Sequence, residues 1–111
     1  MGLTLEQANL DFSLIYEKGF RDAGDTISAD VCRRIHEEEI GHVALALHWL
    51  VRLAPDGRSQ LEAYRDSVPF PLGAHRAKAR RFDTEGRRRA GLDEEFIAYV
   101  RAARPSHAKR G

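Results

Sequence analysis

Sulfur and proline are scarce in this chain: among 111 residues there is one cysteine, one methionine and four prolines, with a single tryptophan besides. A lone cysteine, Cys32, excludes an internal disulfide and agrees with a reducing compartment. Its helical neighbours Val31 and Ile35 predict a small core side chain rather than a nucleophile. No stretch approaches the roughly 18 consecutive apolar residues that a membrane span needs. The start, Met1-Gly2-Leu3-Thr4-Leu5-Glu6, lacks the basic and then apolar regions of a secretory leader, and Glu6 stands where acylation of Gly2 would want serine or threonine. The expectation is a soluble, cytoplasmic chain without a membrane partner. Glycine-rich phosphate loops and nucleophile-elbow patterns are also missing, and no alternating run is long enough for a useful strand.

What is present is charge, unevenly placed. Residues 1 to 73 carry 7 Lys and Arg against 12 Asp and Glu, whereas residues 74 to 111 carry 11 against 5. The two parts should attract each other, so a basic tail docked on an acidic helical body is expected. Nucleic acid is the less favoured partner, because the arginines between Arg76 and Arg89 enclose a single aromatic, Phe82, and lack a series of them for base stacking.

The periodicity is helical. Thr4-Leu5-Glu6-Gln7 fits a capping box, and Leu5, Ala8, Phe12, Ile15, Tyr16, Gly19 and Ala23 follow at three- and four-residue spacing up to a stop at Gly24. A second helix is predicted from Ser28, as its cap, to Leu53, before Pro55-Asp56-Gly57. Val31, Ile35, His42, Trp49 and Leu53 share one narrow stripe of it, which is predicted to be the buried face. A short turn between the two makes an antiparallel hairpin. Ser59-Gln60-Leu61-Glu62 opens a third helix that stops near Val68, since Pro69 and Pro71 follow. An extended connector from Val68 to Gly73, a basic stretch with weak helical pattern, and a last helix capped by Asp93 complete an all-α reading. The predicted organisation is a helical hairpin with its short third helix over residues 1–68 and a basic extension over residues 69–111.

Glu39-Ile40-Gly41-His42 is a Glu-x-x-His motif, and residues three apart on a helix can reach one metal ion with a carboxylate and an imidazole. A carboxylate and an imidazole on an apolar stripe are costly to bury unless coordination or hydrogen bonds satisfy them. Ferritin-like four-helix proteins place two such motifs, with one further Glu from each of the other two helices, around two ions. Glu39 and His42 are therefore the candidate ligands. Glu38 flanks them, and Asp11, Glu6 and Glu17 of the first helix are the acids that could join; antiparallel folding about Gly24 sets Asp11 nearest in level to Glu39. His36 points away from the stripe and is predicted to be solvated. The bland reading of the motif is a hydrogen-bonded core histidine beside an acid paired with arginine.

Several segments together resemble the bacterial domain-of-unknown-function family 455: Ala23-Gly24-Asp25 in the turn, Glu38-Glu39-Ile40-Gly41-His42-Val43 with His48-Trp49, Pro71-Leu72 with Arg76-Ala77-Lys78, and Arg87-Arg88-Arg89-Ala90-Gly91-Leu92-Asp93. That resemblance implies a ferritin-like bundle binding iron or manganese, with Glu39 and His42 as ligands. The family usually has Asp where Glu38 stands. Its preceding helices, with the first Glu, the first Glu-x-x-His and a further Glu, fall before Gly2. One motif cannot ligate two ions, so either preceding helices or a homodimer is expected to complete the site. A competing expectation is a non-catalytic helical module that docks on a partner through Trp49, Phe12 and Ile15. The sequence specifies no reaction beyond this.

Overall fold

In a computed structural model, which describes residues 2–67 and 74–104, every regular element is helical. Helix α1 spans Gly2–Asp22 and α2 spans Thr26–Leu53. They meet at a tight turn. Gly24 adopts φ +84°, and the Asp25 amide donates back to Phe20 O at 2.9 Å, which satisfies a terminal carbonyl as in a glycine-ended helix. Asp25 caps α2 by accepting from Ser28 N at 3.0 Å, so the cap lies three residues before the predicted Ser28. Arg33 and Arg21, both paired to Glu17, and the Arg21 link to Asp30 tie the closed end together.

The predicted Thr4 cap is corrected as well. Thr4 lies inside α1, fully buried, with its hydroxyl 2.7 Å from the Tyr64 hydroxyl. The second predicted box is formed: Ser59 Oγ accepts from Glu62 N while Glu62 Oε1 accepts from Ser59 N. It opens α3, Gln60–Ser67. The predicted connector from Val68 to Gly73 lies outside the described residues. After it come a 3-10 turn at Ala74–Arg76, α4 at Thr84–Arg89 and α5 at Glu94–Ala102, the last capped by Asp93 as expected.

The face of α2 that is buried is not the predicted one. Ala29, Ile40, Val43 and Leu47 turn inward, joining Leu3, Leu10, Tyr64, Leu92, Phe96, Ile97 and Val100 in the core. Val31, Ile35, His42, Trp49 and Leu53 lie on the outer side. Two apolar faces run along α2, and α3 to α5 cover only one of them. Cys32, expected in the core, is partly exposed between the two faces.

The basic segment is docked as its charge predicts. Arg87 is fully buried and donates to both carboxylate oxygens of Asp11, to the Gln7 side chain and carbonyl, and to the carbonyls of Ala77 and Asp83. Outside this clasp, Arg89 pairs with Glu37 of α2. Asp83 caps α4 by accepting from Gly86 N, and a Cβ at Gly86 would collide with that carboxylate, so glycine is required there. The other oxygen of Asp83 meets Nε2 of His36, which is therefore partly buried and paired, not solvated.

Candidate metal centre

Three side chains converge on the outer seam between α1 and α2. Glu39 and His42 stand one turn apart on α2, and His42 Nδ1 donates to Glu39 Oε1 at 3.0 Å. Glu6 of α1 brings its Oε2 to 3.2 Å from the same nitrogen. One ligand-type atom from each of the three lies within 4.8 Å of the others. Ligands of a single ion bound at about 2.0–2.2 Å stand roughly 3–4.4 Å apart, so small side-chain adjustments close the set around one cation.

The polar accounting points the same way. Glu39 Oε2 is buried and accepts no hydrogen bond, and the buried Glu6 Oε2 faces the His42 ring, an arrangement that costs free energy unless positive charge meets the two carboxylates. Burial, and then the adjoining Glu39 carboxylate, hold the Glu6 carboxyl above the ordinary carboxylate range. The hydrogen bond to Glu39, then the Glu39 charge, hold the His42 ring above its ordinary value. Two carboxylates with one imidazole form the mixed oxygen and nitrogen set that suits iron, manganese or zinc.

A pH measurement tests this geometry directly. In metal-free protein the His42 ring should titrate above about 6.5, and Glu39→Gln should return it toward that value in a side-chain NMR titration. A midpoint at or below the ordinary value that ignores Glu39→Gln would contradict the contact. Because both shifts are upward, the linked stability is present at acid pH and is lost as pH rises through the folded-state midpoints. The effect on folding is small, since the His42 side chain is 57% exposed and solvent screens it.

The other candidates are placed elsewhere. Asp11 is saturated by Arg87 and by the amides of Ala79 and Asp83, so it has no free lone pair for a cation and faces away from Glu39. Glu17 is held by Arg21 and Arg33. Glu38 is exposed and outside the cluster. It is Glu6 that meets Glu39 and His42, because the hairpin sets the first turns of α1 beside the middle of α2. A groove of about 190 Å³ adjoins the cluster, lined by Phe12, Ser13 and Tyr16 of α1 and Cys32, Ile35 and Glu39 of α2. A larger depression of about 470 Å³, between Leu3, Trp49, Leu50 and Ala63, contains none of the three clustered side chains.

The sequence profile of the family described as "Protein of unknown function (DUF455)" matches residues 1–98. This chain belongs to that family. Neither a curated protein nor a solved structure matches it. In this DUF455 chain three of the segments singled out by sequence have visible structural work, while Pro71-Leu72 lies outside the described residues. Ala23-Gly24-Asp25 is the hairpin turn with its cap, Glu38 to Val43 carries the Glu39 and His42 side chains of the cluster, and Arg87 is the buried clasp that seats the C-terminal helices on α1. None of the described helices is long and apolar enough to cross a membrane.

Proposed function

We propose that this DUF455 chain is a metal-binding protein of the ferritin-like kind, with Glu6, Glu39 and His42 holding iron or manganese. The observation that carries the reading is the convergence of the Glu6 and Glu39 carboxylates, whose Oε2 atoms are buried, on the His42 ring. One glutamate from one helix and a Glu-x-x-His from its antiparallel neighbour is half of the ligand complement of a ferritin-like dimetal bundle. A redox metal held there supplies one-electron chemistry with oxygen or peroxide. The chain's own part is to fix the donors, to exclude water on the core side through Ile40 and Val43, and to release the His42 proton as a ligand position is taken.

Metal uptake decides it. Chain stripped with a chelator and then offered ferrous iron, manganese or zinc should retain about one ion per chain. Glu39→Ala and His42→Ala should each weaken retention by more than about 100-fold, beyond the roughly 10- to 100-fold loss typical of altering an outer partner. Retention equal in wild type and in the double variant would remove the reading. The second reading, a docking module without metal, draws support from the exposed rings of Phe12 and Trp49. It predicts partner binding that survives both alanine substitutions.

A further inference from the structure

The outer face of the hairpin is apolar along both helices. Leu5, Phe12, Tyr16 and Phe20 line it on α1, and Val31, Ile35 and Trp49 line it on α2, all between 40% and 58% exposed. At the centre of this face the two helices share one surface, because the groove between Phe12, Tyr16, Cys32 and Ile35 is built from both. The Phe12 and Tyr16 rings stack at 6.2 Å, which makes the centre of the face broad and flat. On the side away from it, α3 to α5 already cover the hairpin.

From the structure we infer that a second copy of this chain covers that face, pairing two hairpins into a four-helix bundle. Area favours a partner of this size: half exposure of seven large side chains leaves on the order of 600 Å² of apolar surface, at the top of what monomers expose. It approaches the roughly 800 Å² per partner of a stable interface. Composition favours self-pairing, because the face is apolar over most of its length and its charged members, Glu6, Glu39 and His42, sit in one cluster. A two-fold pairing matches an apolar stripe with an apolar stripe and needs no complementary charge pattern. A two-fold axis that passes beside the cluster, near the midpoint of α2, would set the two copies of it across from each other. Only this last point rests on the proposed metal function. There each copy would add its three donors to those of the other, where one chain alone falls short of the four to six ligands that such ions take.

Sedimentation of the full chain in chelator, at micromolar concentration, tests the pairing without metal. Twice the chain mass is expected. Tyr16→Glu combined with Val31→Glu, both at exposed positions that fold without strain, should weaken self-association by roughly 100-fold or more while far-UV circular dichroism stays helical. Ala98→Glu on α5, on the covered side, should leave the mass unchanged. A wild-type mass of one chain, which would assign the face to some other helical segment, overturns the inference. So does a dimer that survives Tyr16→Glu with Val31→Glu. A dimer that takes up no metal upholds the pairing and fails the metal reading instead, so the two are judged separately.

Discussion

Arg87→Ala should cost about 3–5 kcal/mol of folding stability, the range for removing one partner of a buried ion pair. The side chain is fully buried with Asp11, at 2.7 Å, and the guanidinium also lies over the Phe82 ring at 3.9 Å. All five of its donors are engaged, and truncation leaves the Asp11 carboxylate in the interior with only the Ala79 and Asp83 amides to meet its charge. Urea unfolding followed by circular dichroism measures the loss. Asp11→Asn with Arg87→Met should lose less than the two single variants added together, because neither then strands a charge. A single-variant loss under about 1 kcal/mol would show that water reaches the pair and that the clasp is not dry. For small domains total stability is about 5–15 kcal/mol, so Arg87→Ala would bring a marginal fold close to its unfolding midpoint at ambient temperature.

That clasp also shows what one sequence can and cannot convey. The opposite charge balance of residues 1 to 73 and 74 to 111 announces that the two parts attract, but nothing local connects Arg87 with Asp11 across 76 positions. The all-helical class, the glycine turn, the Ser59 to Glu62 box and the Asp93 cap are legible because each depends on neighbours within four residues. Thr4 failed as a cap for the opposite reason: its hydroxyl bonds Tyr64, sixty residues away, and the helix simply runs through it.

Helix α2 explains the main miss. Periodicity revealed an apolar stripe through Val31, Ile35, His42 and Trp49, and the stripe is real, but a second set, Ala29, Ile40, Val43 and Leu47, is the one against the core. A helix with two apolar sides gives a sequence no means of ranking them. The position of α3 to α5 ranks them, and those short elements are fixed by tertiary contacts rather than by pattern. Similarly, Glu39 and His42 were legible as a spaced pair, whereas Glu6 depended on the level at which α1 crosses α2. Asp11 was favoured on an ideal antiparallel register and is instead turned toward Arg87. The excess of arginine after residue 74 was the available sign that some acid of α1 would be consumed in this way.

Phe96→Ala is the second large effect, expected at about 3–5 kcal/mol for emptying an aromatic site in a packed core. Phe96 is completely buried in α5, its ring 4.8 Å from that of Tyr64 in α3. Tyr64 in turn reaches Thr4 of α1, two residues before Glu6. The contact therefore joins the C-terminal helix to the turn that carries one ligand of the candidate metal centre. Phe96→Leu keeps much of the volume and should lose about half as much, while Tyr64→Phe, which removes only the hydroxyl, should cost about 0.5–1.5 kcal/mol. If the chain of contacts sets the position of Glu6, metal retention should fall in Phe96→Ala even under conditions where the variant is fully folded by circular dichroism. It should be kept in Phe96→Leu. Equal retention in folded Phe96→Ala would mean that α1 is positioned by the Arg87 clasp and the α2 seam alone, with the aromatic pair serving stability and nothing further.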